Sequence, residues 1–175
     1  MADFKKYFPK LVEWEGAAFE NVPGDNGGPT KYGVILSEWK EKGWDKDNDG
    51  DIDVEDLKKI NANDASSIAK SHYWDRLKCD QITNQSIAEF IADFAYNCGV
   101  SAAAKKTQEV LGLTEDGNIG PKTLAAINGA NQEDLFNKLK ARREKYYRAI
   151  VANNASQNKF LAGWLNRNNS FKFKA

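Results

Sequence analysis

One histidine, two cysteines and no excess of either charge in 175 residues already exclude several kinds of function. His72 has no second histidine or nearby cysteine cluster beside it, so a zinc site lacks its ligands. Cys79 and Cys98 are too few for a disulfide framework. Cys98 falls on the apolar face of a predicted helix, where a buried, inert thiol is expected. Cys79 sits in a polar stretch with no role, and whether the two pair is open. Lys plus Arg and Asp plus Glu number 25 each, so bulk charge selects no partner. No stretch is apolar for long enough to span a bilayer, and "MADFKKYFPK" lacks the apolar run of a signal peptide. The expectation is a protein made in the cytoplasm, without membrane insertion. "GDNGG" lacks the Lys-Ser/Thr of a phosphate-binding loop.

What is present suits a globular chain: 41% apolar and 29% charged residues, enough for one compact domain or two small ones. Phe4, Phe8, Leu11, Val12 and Glu15 recur at helical spacing, predicting a helix over 3–15 that Gly16 ends, with Pro9 starting or kinking it. "KYGVIL" (31–36) reads as β-like or as a helix lead-in. A helix is expected near 64–76. The clearest one is "SIAEFIADFAYNCG", with Ser86 and Glu89 as a capping box. "SAAAKKTQEVLG" is another, ended by Gly112. Asp116-Gly117 is a turn, Gly120-Pro121 opens a short helix, and Asn131 caps a long one reaching about Ile150. "KLKARREKYYR" (138–148) reads as the solvated face of that helix, and no nucleic-acid partner is expected.

On a helical wheel with Leu11 at zero, Phe8 falls at roughly 60°, Glu15 at roughly 40° and Glu13 at roughly 200°. Glu15 therefore points with the apolar stripe. Desolvation raises a carboxyl pKa and keeps the group protonated, as a general acid for glycosidic cleavage requires. Ten residues on, Asp25 lies in a Gly/Pro/Asn loop, and Thr30 follows with a hydroxyl able to hold water. A raised-pKa acid beside an ionised partner is the two-carboxylate arrangement of glycoside hydrolysis. A glutamate snorkelling at a helix end, with Asp25 as an ordinary turn residue, satisfies the same wheel. The wheel leaves both readings open.

The order Glu, Asp, Thr resembles the active-site triad of phage-type lysozymes. More closely, "WEGAAFENVPGDNGGPTKYGV" resembles the Glu-Gly-Gly block of phage-type N-acetylmuramidases, glycoside hydrolase family 108. The likeness continues through "SHYWDRLKCDQI", "QSIAEFIADFAYNCG" and "GWLNR". It implies that Glu15 is the catalytic acid, with Asp25 as base or water-holder and Thr30 orienting that water. Two departures stand out. Ala17 replaces the usual second glycine, and the loop to Asp25 is one residue longer than the common pattern. "TQEVLGLTEDGNIGPKTLAAIN" resembles small helical peptidoglycan-binding domains, giving a division into a lysozyme-like catalytic domain over 1–98 and a wall-binding part over 99–175.

"DKDNDGDIDVED" (45–56) matches an EF-hand-like calcium loop position by position. Asp45, Asp47 and Asp49 stand at positions 1, 3 and 5, and Gly50 at 6. Asp51 supplies a backbone carbonyl at 7, Asp53 stands at 9 and Asp56 closes at 12, where Glu is usual. A single loop suits a structural Ca2+ rather than a sensor.

Tyr32, Tyr73, Trp74 and Asn97 are the candidate sugar contacts: rings stack on pyranose faces and amides bind N-acetyl groups. Core packing is the alternative for each aromatic. The fold expected is mainly α and lysozyme-like, with a small β-like hairpin region and the inserted calcium loop. The resemblance implies a monomeric muramidase whose partner is peptidoglycan, reached through export, holin release or lysis, as in an endolysin. The alternatives are a lytic transglycosylase and a non-catalytic wall-binding protein or secretion activator.

Overall fold

The computed structural model describes residues 1–23 and 27–175. It is mainly helical, as the periodicities predict, and the described residues carry one short hairpin. Two compact units emerge: Lys5–His72, and Tyr73–Ala175 joined by Met1–Phe4.

The smaller unit begins with α1 (Phe4–Glu15), which buries Tyr7 and Leu11 and leaves Glu13 exposed. Pro9 lies within the helix, and Gly16 closes it by donating its N–H to Val12 O at 2.8 Å. Strands β1 (Thr30–Lys31) and β2 (Val34–Ile35) pair antiparallel, Thr30 opposite Ile35 and Lys31 opposite Val34. Thr30 also exchanges two backbone hydrogen bonds of 2.8 Å with Glu20, closing the base of the intervening loop. Helices α2 (Leu36–Lys42), α3 (Val54–Lys59) and α4 (Ala62–Ala69) follow. Leu11, Val34, Trp39, Leu57 and Ile68 are the buried apolar positions that fix them. The helix expected near 64–76 is α-helical only through Ala69. It then widens into a π-helical turn, Lys70–Trp74.

The larger unit is organised on α5 (Gln85–Cys98), in which every residue from Ser86 to Ala95 is buried. Its start differs from the expected capping box. Asn84, as good a cap as serine and placed earlier, accepts the Ile87 N–H at 3.1 Å. Ser86 lies inside the first turn, and its hydroxyl accepts the Lys174 N–H at 2.9 Å, fastening the C-terminal tail. Helix α6 (Val100–Val110) ends in a Schellman motif, Leu113 N–H to Gln108 O and Gly112 N–H to Glu109 O. Helix α7 (Pro121–Gly129) opens at Gly120-Pro121, and α8 (Gln132–Asn153) is capped by Asn131. Helix α9 (Asn158–Ser170), which the periodicity reading did not anticipate, packs on α8.

The basic run of α8 is not uniformly a solvated face. Arg143 is fully buried, its Nη1 donating to Asp93 Oδ2 at 2.8 Å, while Arg167 of α9 reaches Asp93 Oδ1 at 2.6 Å. One carboxylate on α5 thus ties down two further helices. Removing one partner of such a buried group strands a charge, typically at about 3–5 kcal/mol.

Candidate active site

Glu15 is the last residue of α1 and is half-buried. Its side chain lies against the hairpin at Gly33. The hairpin turns through two residues, Tyr32 at φ 53° and Gly33 at φ 74°, the type I′ arrangement that matches the twist of paired strands. A Cβ on Gly33 would lie 2.6 Å from Glu15 Oε2 and 2.8 Å from Cδ and Cγ. Only glycine permits both that φ and that approach. The hairpin therefore holds the Glu15 side chain beneath its tip and carries Thr30, half-buried, two residues before Tyr32. Tyr32 is a non-glycine residue in the left-handed region, a cost of about 1–2 kcal/mol that the hairpin must sustain. Glu15, Thr30 and Tyr32 belong to the same compact unit. Asp25 lies outside the described residues.

The acidic loop forms two groups of carboxylates, Asp45/Asp47/Asp49 and Asp51/Asp53/Asp56, and such clusters can hold a metal ion. Asp45 Oδ1 accepts N–H groups of Asp47 and Asn48, and Oδ2 accepts that of Gly50 at 3.0 Å. Asp56, fully buried, accepts from Lys46, Asp47 and Asp53, so both its oxygens tie the loop ends together. Those bonds, that to Asp53 foremost, hold its pKa below the usual carboxylate range despite burial. The Asp51 N–H pulls Asp49 down, but desolvation and the neighbouring Asp47 and Asp51 outweigh it, and its pKa is raised. That is the repulsion a cation would relieve. Asp47 meets Lys59 Nζ through Oδ2 at 2.7 Å, which lowers its pKa, while its Oδ1 is buried without a hydrogen-bond partner. A buried oxygen without a partner, in an all-oxygen donor set, fits a hard cation. The loop also reaches the hairpin. It leads into α3 through the Asp53/Asp56 capping box, and the Lys58 carbonyl near the end of α3 accepts from Lys31 Nζ of β1 at 2.5 Å.

Residues 8–99 match the model of the family described as glycosyl hydrolase 108, just over half of the chain. The chain belongs to glycosyl hydrolase family 108. Residues 102–169 match a second model, described as a predicted peptidoglycan domain. Among solved structures the chain is similar to SagA of Brucella abortus, with 25% identity, coverage of 96% of this chain and 94% of that one, and a TM-score of 0.73. No curated protein matches the sequence.

The other candidate contacts of this family-108 chain fall in the larger unit. Tyr73 is half-buried against Tyr96, ring centroids 4.8 Å apart. Asn97 is exposed at the end of α5 and donates to the Tyr147 hydroxyl at 3.3 Å. Trp74 is corrected to a core residue: it is fully buried, edge-on to Phe4 at 5.6 Å, with its indole N–H donated to Asp80. No face of that ring is left for a sugar. Cys79 is fully buried and Cys98 half-buried, both as free thiols. Three features of the site were missed from sequence. Gly33 has no role of its own in the sequence pattern, although Tyr-Gly between β-like residues is a turn signal. The Lys31–Lys58 link and the Glu20–Thr30 bridge are long-range and had no local signal.

Proposed function

We propose that the protein is an N-acetylmuramidase that cleaves the β-1,4 bond between N-acetylmuramic acid and N-acetylglucosamine in peptidoglycan. Glu15 protonates the leaving glycosidic oxygen. Thr30 orients the attacking water, and Asp25 serves as its base, with inversion at the anomeric carbon. The observation that carries this reading is the half-buried Glu15 at a helix end, its carboxyl seated under Gly33 of the hairpin that bears Thr30. Membership of family 108 supports the glycosidic chemistry, and the peptidoglycan-domain match supports the substrate.

The acidic loop binds one Ca2+ through Asp45, Asp47 and Asp49, with Asp51, Asp53 and Asp56 completing or bracing the site. The ion neutralises the loop's carboxylates, and α3 with Lys31 passes that order to the hairpin. The protein works as a monomer on the cell wall after export or lysis.

Reducing-end release from purified peptidoglycan by wild type and by Glu15→Gln, with calcium present, tests the assignment. Loss of a positioned general acid costs about 10²–10⁴-fold in rate. Wild-type release that persists in the variant removes Glu15 from the chemistry. Anhydro-sugar products without new reducing ends transfer the protein to the transglycosylases.

A further inference from the structure

Lys59 stands where the acidic loop is most crowded with charge. The Asp53/Asp56 capping box fixes the start of α3, and Lys59, its last residue, lies three positions after Asp56 on the same helix face. From there its exposed side chain reaches back across the loop, and Nζ donates to Asp47 Oδ2 at 2.7 Å. The charges of Asp56 and Asp49 act on the ammonium as well. Lys58, one residue earlier and also exposed, turns elsewhere. It pairs with Glu55 at 2.7 Å and lies 5.6 Å from the Phe19 ring centroid. One of two neighbouring lysines is thus aimed at the carboxylates assigned to the ion, and the other is not.

We propose that Lys59 is a built-in competitor of calcium: it holds Asp47 while the loop is unfilled and raises the calcium level at which the loop fills. The proposal rests on the reading of the loop as a calcium site. Two effects of the lysine oppose each other. Ordering Asp47 would assist the ion, but the backbone there is already held. The Asp47 N–H donates to Asp45 Oδ1 and Asp56 Oδ1, and the Gly50 N–H to Asp45 Oδ2. Little order is left for Lys59 to add. Against the ion, the ammonium occupies one oxygen of Asp47. It also repels a divalent charge set among Asp45, Asp47 and Asp49, whose ligand oxygens lie within 4.8 Å of one another. At a few ångströms, after screening by physiological salt, that repulsion weakens binding about five- to tenfold. Competition outweighs bracing. Asp47 Oδ1 is buried without a hydrogen-bond partner, so the ion finds a ligand atom there while the lysine swings to solvent.

Calorimetric titration of calcium into the EGTA-treated full chain tests this, with wild type, Lys59→Gln and Lys58→Gln. Lys59→Gln should bind calcium about five- to tenfold more tightly than wild type, and the gap should shrink at about 0.5 M salt. Lys58→Gln removes the same charge one residue away and should bind like wild type. The thermal midpoint adds a second sign. Without calcium, Lys59→Gln should melt below wild type, because Asp47 loses its counter-charge, and saturating calcium should raise its midpoint by more. A lysine that only braces the loop would lower stability and affinity together when removed. A Lys59→Gln chain that binds calcium no more tightly than wild type therefore overturns the proposal and leaves the calcium site standing. Equal tightening in Lys58→Gln overturns it too, by assigning the effect to net charge. Absence of calcium binding in both wild type and Lys59→Gln overturns the calcium reading and the competitor with it.

Discussion

At the scale of single residues, the decisive contact is between Gly33 and Glu15. Consider Gly33→Ala. The added methyl would lie 2.6 Å from Glu15 Oε2. That neighbour is the end of a flexible side chain, so it swings away and the steric cost to the fold is small. The remaining cost is the left-handed backbone, about 1–2 kcal/mol for a residue with a Cβ. Catalysis is affected far more, because a displacement of about 1 Å can cost about 10²-fold. The expected outcome is a variant that unfolds at slightly lower urea yet releases reducing ends about 10²-fold more slowly. Full activity in a folded Gly33→Ala protein would mean that the carboxyl need not sit beneath the hairpin, and Glu15 would lose its assignment.

Among the elements, the acidic loop makes the sharpest prediction. Its backbone is already organised by Asp45 and Asp56, and Lys59 supplies one positive charge at Asp47. Calcium would add the charge still missing at Asp49 and a partner for Asp47 Oδ1. With calcium at 100 times its Kd, linkage contributes about 2.7 kcal/mol. For a chain of this size that raises the thermal midpoint by roughly 5–10 °C. EGTA should remove the shift, and Asp47→Asn should show little shift to begin with. A wild-type midpoint indifferent to calcium would leave Lys59 and the backbone bonds as the loop's whole support. Elements were also what the sequence showed most clearly. Glu15 at a helix end, Gly112 as a terminator and Asn131 as a cap all follow from local signals acting over a few residues, whereas 31–36 stayed open between a strand and a helix lead-in until Tyr32-Gly33 turned it into a hairpin. Asn84 displaced Ser86 as the cap because two equally competent caps stood close together and the C-terminal tail claimed the serine. Trp74 was ambiguous from sequence, because an aromatic suits a core as well as a sugar; its packing on Phe4 and its bond to Asp80 decide for the core, and the first of these is a long-range contact. Arg143 looked like one more solvated cation, since its partner Asp93 lies 50 residues away in the chain.

For the molecule as a whole, that buried charge cluster controls how stability responds to alkali. The Tyr147 hydroxyl accepts from Arg143 Nε at 2.9 Å, within a site that also holds Asp93 and Arg167. Burial raises its pKa from 10.0 to about 12, against the lowering influence of Arg143. An unfolded tyrosine ionises near pH 10, whereas the folded one keeps its proton. The stability this contributes is fully present below pH 10 and is lost as pH rises through about 12, at about 1.4 kcal/mol per pH unit. Tyr147→Phe removes both the hydroxyl contact and this titration. The variant should be less stable than wild type at pH 9, because Arg143 Nε loses a buried acceptor, an effect of about 1–3 kcal/mol. The gap should then narrow between pH 10 and 12, as only wild type gives up the contribution of its protonated phenol. Urea midpoints of the two proteins at pH 9, 10, 11 and 12 measure this directly. Parallel curves would mean that Tyr147 ionises as readily in the folded chain as in the unfolded one, and that the guanidinium of Arg143 offsets burial in full.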